Sequence, residues 1–220
     1  MHNSVDSLVA IKEEIQLKII DKTNIIKIPQ IIAVSKTFKI EHILPLINYG
    51  HLHFGENKVQ EAIEKWTEIK NQNKNIKLHL IGKLQSNKVK IAVKIFDYIH
   101  SLDSEKLATK IADEQIKQNK KIKAFIQINI GDEVQKSGIN KKNVFEFYKY
   151  CKDIDIEVIG TMCIPPNEGI AKNYFIEMNK INKDLNLSEL SMGMSKDYLN
   201  AAQNNSTFIR IGSKIFGQRD

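Results

Sequence analysis

The feature that most constrains this chain is an alternation of short β-branched runs with longer stretches of helical period. Apolar runs at residues 30–35, 51–55, 77–82, 97–101, 123–130, 157–161, 188–191 and 207–211 predict strands. Helical periodicity fills most gaps, over 58–70, 104–119, 142–152 and 169–184. An opening amphipathic helix runs over 4–21, with Leu8, Ile11, Ile15 and Ile19 on one stripe. Strands separated by helices run parallel, and eight such units are the number at which a parallel sheet closes. The expected fold is therefore α/β, a single (β/α)8 TIM-type barrel with an N-terminal helix. One domain spanning 1–220 is expected, because no repeat or Pro/Gly/Ser linker interrupts the pattern.

A barrel of this kind carries its chemistry at the C-terminal ends of its strands. The informative polar residues fall there: Ser35-Lys36-Thr37, Gly55-Glu56-Asn57, Gly82-Lys83-Leu84-Gln85, Ser191-Met192-Gly193-Met194-Ser195 and Gly212-Ser213. They converge on one rim.

Lys36 ends the apolar run Ile31-Ile32-Ala33-Val34-Ser35, unlike the many surface lysines that lie in Lys/Asn-rich helices. A strand-end lysine reads in two ways. It snorkels from the rim into water, or its partly desolvated amine forms a Schiff base. Arg210-Ile211-Gly212-Ser213 closes the last predicted strand, where such barrels commonly seat a phosphate. Gly212 admits close backbone approach, and the Ser213 hydroxyl is a donor. Ser195, after the seventh strand, caps a helix, binds the same anion, or does both. Arg210 is one of only two arginines, with Arg219. It pairs with a rim carboxylate or takes part in the site.

Other chemistries lack their residues. The formal charge is +7, but the lysines are dispersed among Asn and Ile, so no nucleic-acid partner is expected. Cys151 and Cys163 form no close-spaced pair. The alternation of His51 and His53 puts them on one strand face, while His79 and His100 occupy other strands. None has the spacing of a metal site, so packed, hydrogen-bonded histidines and no metal are expected. No secretory start and no membrane-spanning run of roughly 20 apolar residues is found, so a cytoplasmic protein with reduced thiols is expected.

Taken in order, these segments resemble the YggS/PROSC family of pyridoxal 5′-phosphate (PLP) homeostasis proteins, which look like the barrel domain of alanine racemase. The resemblance rests on Ala33-Val34-Ser35-Lys36-Thr37, Phe54-Gly55-Glu56-Asn57 with Val59-Gln60-Glu61, and His79-Leu80-Ile81-Gly82-Lys83-Leu84-Gln85-Ser86-Asn87-Lys88. It continues through Gln127-Ile128-Asn129, Lys136-Ser137-Gly138, Leu190 to Ser195, and Arg210-Ile211-Gly212 with Phe216-Gly217. It implies PLP bound through Lys36, Arg210 against the pyridine nitrogen, Ser195, Gly212 and Ser213 around the phosphate, and Asn57 near the ring. Lys83 departs from the family pattern, which more often has a small or neutral residue there.

The implied function is PLP binding in intracellular PLP homeostasis, as carrier or regulator rather than efficient catalyst. Amino acids and PLP-requiring apoenzymes are the candidate partners. The rival is a PLP-dependent amino-acid racemase, which needs an acid/base on each face of the substrate. Lys36 supplies one, and no catalytic pair is expected in a chain that ends at Asp220.

Overall fold

A computed structural model describes residues 3–19, 27–166 and 170–218. Its strands are β1 (Gln30–Val34), β2 (His53–Glu56), β3 (Lys77–Leu80), β4 (Tyr98–Leu102), β5 (Lys123–Gln127), β6 (Glu157–Met162), β7 (Glu189–Ser191) and β8 (Phe208–Ile211). They are all parallel and close a barrel in chain order, with β8 returning to β1 through Ile32 opposite Arg210. The helices are α1 (Ser4–Ile19), α2 (Ile40–Asn48), α3 (Val59–Gln72), α4 (Val89–Ile95), α5 (Glu105–Gln118), α6 (Val144–Asp153), α7 (Ala171–Asp184), α8 (Tyr198–Ala202) and α9 (Ser213–Phe216).

Every predicted strand has its counterpart, displaced by a residue or two. The run at 123–130 is cut short at Gln127. Just beyond, the Asn129 side chain accepts from the Glu133 N–H at 3.1 Å and donates to the Glu133 carbonyl at 2.8 Å. That paired contact turns the chain where hydrophobicity alone reads on as strand. The short helices α2, α4, α8 and α9 carry too few turns to show a period, and α2 holds Pro45 inside it. Positions 20, 21 and 169 of the predicted helices lie outside the described residues, as does Arg219.

The strands have two buried faces, so they lack polar alternation. Outward residues such as Ala33, Phe54, Leu78, Ile99, Ile126 and Ile211 join the helices in one large core. That layer includes Trp66 of α3, whose ring lies 4.8 Å from Phe54, and the predicted stripe of α1, all four residues buried. Inward residues Ile32, Phe125, Met162 and Phe208 form a separate core, with Tyr98 beside it.

Barrel interiors are usually filled with branched aliphatic side chains. Here rings fill much of the space. His79 stacks on Tyr98 at 4.2 Å and 8°, and His100 stacks on Phe125 at 4.2 Å and 18°. Phe208 lies 5.6 Å from both His79 and Phe125. The expectation that His51 and His53 share a strand face fails. His51 precedes β2, bonds the His53 carbonyl at 2.8 Å and packs edge-on against Phe54. Its ring satisfies a strand-end carbonyl instead of joining the ladder.

Candidate functional site

Strand register brings the candidate residues together. Ala33 pairs with Ile211 and Val34 with Gly55, so the ends of β8, β1 and β2 lie side by side. Lys36, Gly212, Ser213 and Asn57 follow those ends directly, and Ser195 follows β7, the other neighbour of β8. Lys36 continues the inward parity of Ile32 and is partly buried.

The backbone around Lys36 is held on both sides. Ser35 is fully buried, and its hydroxyl donates to Glu56 Oε1 at 2.8 Å. Thr37 has φ 70°, a left-handed conformation that costs a β-branched residue free energy. Its N–H donates to Glu61 Oε1 at 2.5 Å. Lys65, four residues after Glu61 on α3, joins the two halves. Its ammonium donates to Glu56 Oε1 at 3.0 Å, Glu61 Oε1 at 2.9 Å and the Ser35 carbonyl at 2.9 Å.

The indole N–H of Trp66 adds a third donor to Glu56 Oε1 at 2.9 Å, while Glu56 Oε2 is buried without a partner. Burial raises the Glu56 carboxyl above its ordinary value, opposed by Trp66, Lys65 and Ser35. Burial acts the same way on Glu61, but bonds from Lys65 and the Thr37 N–H carry it below the ordinary value. Two carboxylates sharing one lysine thus clamp the turn that presents Lys36.

Arg210 is buried inside the barrel. Its Nη1 donates to Ser191 Oγ at 2.6 Å and its Nη2 to the Cys163 carbonyl at 2.9 Å. Among the described residues no carboxylate lies within 4.0 Å of it, so the rim ion pair is not formed there. Burial lowers its pKa from the ordinary value, yet a guanidinium stays charged in proteins. Among the described residues its two acceptors are neutral, which leaves further N–H donors of a desolvated cation for a ligand atom with a lone pair. The neighbouring Cys163 thiol is pushed up to about 12 by burial and is no competing nucleophile.

Gly212 lies against β1: a Cβ there would sit 3.3 Å from the Val34 carbonyl oxygen. Ser213 is exposed and opens α9. Ser195 sits in a turn three residues before α8, whose N-cap is Asp197, so the capping reading of Ser195 does not hold. The Asp197 carboxylate instead accepts from the Met194 N–H at 2.6 Å. Asn57 packs against Gly82, where any Cβ would fall 2.4 Å from the Asn57 carbonyl oxygen. Asn57 and the exposed Lys83 line a cavity of about 340 Å³ with Gln127, Asn129 and Lys136. Lys36 and Arg210 are not among that cavity's lining residues.

Residue reading passed over Lys65, Trp66 and the roles of Glu61 and Ser191. The Glu61–Lys65 spacing of four was a usable signal on a predicted helix. Ser191 gave none, because its partner Arg210 is 19 residues away.

The family described as alanine racemase, N-terminal domain, matches residues 16–220. A pyridoxal phosphate homeostasis protein of Pasteurella multocida is 36% identical over 202 residues, covering 87% of each chain. One from Escherichia coli is 33% identical over 200 residues, covering 86% of each. Among solved structures, PipY of Synechococcus elongatus without PLP superposes with TM-score 0.86 at 30% identity, covering 96% of this chain and 99% of that one. Its PLP-bound form gives TM-score 0.81 at 31% identity, covering 92% and 100%. An alanine racemase of Clostridium difficile gives TM-score 0.71 at 14% identity over 97% of this chain and 57% of that one, a likeness of fold. By sequence and by fold together, the chain belongs to the family of pyridoxal phosphate homeostasis proteins, built on the alanine racemase N-terminal domain.

Proposed function

We propose that this protein binds pyridoxal 5′-phosphate through Lys36 and acts in the homeostasis of that cofactor. Its curated relatives are named as pyridoxal phosphate homeostasis proteins, and the PipY neighbour holds PLP. The observation in this chain that carries the reading is Arg210. It is a buried cation with donors to spare and no carboxylate among the described residues to neutralise it. A pyridine nitrogen is a lone-pair acceptor of the kind such a cation lacks.

The remaining donors fit the rest of the molecule. Lys36 Nζ would hold the cofactor by condensing with its aldehyde carbon, with one water released. The amides of Gly212 and Ser213 with the hydroxyls of Ser213 and Ser195 serve the phosphate, and Asn57 flanks the ring. Bound PLP supplies an electrophilic carbon and an electron-withdrawing ring. Arg210 keeps the ring nitrogen an acceptor, which weakens the ring as an electron sink and favours holding the cofactor over turning over amino acids. Free amino acids and PLP-requiring apoenzymes are the proposed partners, in the cytosol, where Cys151 and Cys163 stay reduced. Within the described residues no helix is long and apolar enough to cross a membrane.

The test is to load the protein with PLP and incubate it with single-enantiomer amino acids in deuterated water. Exchange of the α-hydrogen at the rate of free PLP, with transfer of PLP to an added apoenzyme, is expected. Turnover of ~1–10³ s⁻¹, the common enzyme range, would make racemase the better reading.

A further inference from the structure

The barrel interior contains a continuous line of side-chain hydrogen bonds that ends on Arg210. His53 Nδ1 lies 2.9 Å from His79 Nε2, and His79 Nδ1 lies 2.9 Å from His100 Nε2. His100 Nδ1 lies 2.9 Å from Ser191 Oγ, which accepts from Arg210 Nη1 at 2.6 Å. Four strands contribute, β2, β3, β4 and β7, before the line reaches β8. It runs from His53, partly exposed at the N-terminal end of β2, through the fully buried His79 and His100.

The direction of donation along this line follows from its last member. A guanidinium donates and never accepts, so Ser191 Oγ must be the acceptor in its bond to Arg210. The Ser191 hydroxyl proton then points to His100 Nδ1, its one other contact given by the geometry. A neutral imidazole has one donor and one acceptor nitrogen. His100 is therefore protonated on Nε2 and donates to His79 Nδ1. By the same step, His79 donates from Nε2 to His53 Nδ1. The reverse direction would aim two donors at Ser191 Oγ and leave its own proton without an acceptor in a fully buried position.

We infer that His53, His79, His100 and Ser191 form one polarised hydrogen-bond chain that fixes the orientation of the Arg210 guanidinium toward the cofactor. The inference rests on the assignment of Arg210 to the PLP ring nitrogen. With Ser191 Oγ and the Cys163 carbonyl holding two nitrogens of the fork, the direction of its remaining N–H groups is set before any ligand arrives. The chain also keeps its imidazoles neutral beside the Arg210 cation. A proton added to any of the three imidazoles must displace a donated hydrogen bond as well as enter a desolvated site. Burial first, then the Arg210 charge, holds His100 well below its ordinary value, and burial with the charge of His100 does so for His79. The other faces of these rings are closed by Tyr98 and Phe125, which stack on them, and by Phe208, which meets His79 at a tilt. Ser191 and the histidines are positioning residues, two to five hydrogen bonds removed from the ring nitrogen.

Nitrogen NMR on uniformly labelled protein without cofactor tests this directly. The wild-type protein is expected to show His53, His79 and His100 each as a single neutral tautomer with hydrogen on Nε2, and separate, slowly averaging signals for the Arg210 Nη groups. Ser191→Ala is expected to move the nitrogen signals of all three histidines and to collapse the Arg210 signals to an average. It should also weaken PLP binding roughly threefold to tenfold, the range for one lost hydrogen bond. Phe125→Leu removes the stacking partner of His100 but no hydrogen bond, and should leave every tautomer unchanged. Hydrogen on Nδ1 of His100 in the wild type, or mixed tautomers there, would overturn the inference. So would a Ser191→Ala protein in which only His100 responds. A wild-type protein that shows the expected tautomers but binds no PLP would contradict the cofactor reading and leave the polarity of the chain established.

Discussion

The N–H of Thr37, the residue after Lys36, donates to the Glu61 carboxylate at 2.5 Å while Thr37 holds φ at 70°. A threonine in this conformation costs on the order of 1–2 kcal/mol. The bond to Glu61, supported by Lys65, offsets that cost and fixes the direction in which Lys36 leaves its strand.

Glycine at position 37 would relieve the strain but add backbone freedom of about 0.5–1 kcal/mol in the unfolded chain. Thr37→Gly is therefore expected to change unfolding free energy by no more than about 1 kcal/mol while weakening PLP retention. Glu61→Ala should cost about 1–3 kcal/mol, and less of that in the Thr37→Gly background. A denaturant double-mutant cycle measures the coupling. Additive effects would show that Glu61 does not hold the turn.

The two fully buried histidines give the fold a pH dependence with a definite sign. His79 and His100 have folded-state values well below 6.5, with burial the leading cause. The unfolded chain thus takes up protons below pH 6.5 that the folded chain refuses. Their contribution to stability is present above that pH and lost as pH falls through the window beneath it. Each adds a slope approaching about 1.4 kcal/mol per pH unit. Unfolding free energy should drop steeply between pH 6.5 and 5, and His79→Gln should make the slope shallower by about one proton. A flat profile in that window would show that both rings protonate in place.

Arg210→Gln keeps an amide donor for Ser191 but removes the charge. A hydrogen bond from a charged donor contributes about 1.5–3 kcal/mol. PLP affinity is expected to fall by roughly tenfold or more, with a shifted absorption band and a fold that melts cooperatively. Unchanged affinity and spectrum would mean that Arg210 only braces β7 and the Cys163 carbonyl.

The barrel was legible because each strand is a short apolar run between helical periods, and parallel pairing in chain order needs nothing more. The same logic pointed to Lys36 and Arg210 as candidates, since strand ends in such a barrel commonly carry its chemistry. What stayed hidden depends on register between distant strands. His53, His79 and His100 sit 26 and 21 residues apart, and only the closed barrel aligns their rings. The clamp around Lys36 was half visible: Glu56 and Glu61 stood out in a motif, but their common lysine did not. The Asn129 turn was read as strand because its side-chain bonds carry no hydrophobic signature.

On the proposed function, Lys36 alone carries the cofactor. The most direct measurement is borohydride reduction of the PLP-loaded protein, followed by peptide mapping and mass analysis. One reduced pyridoxyl group is expected on the peptide containing Lys36, with loss of the bound-cofactor absorption band in Lys36→Ala. A pyridoxyl group found on another lysine while Lys36 remains unmodified would contradict it.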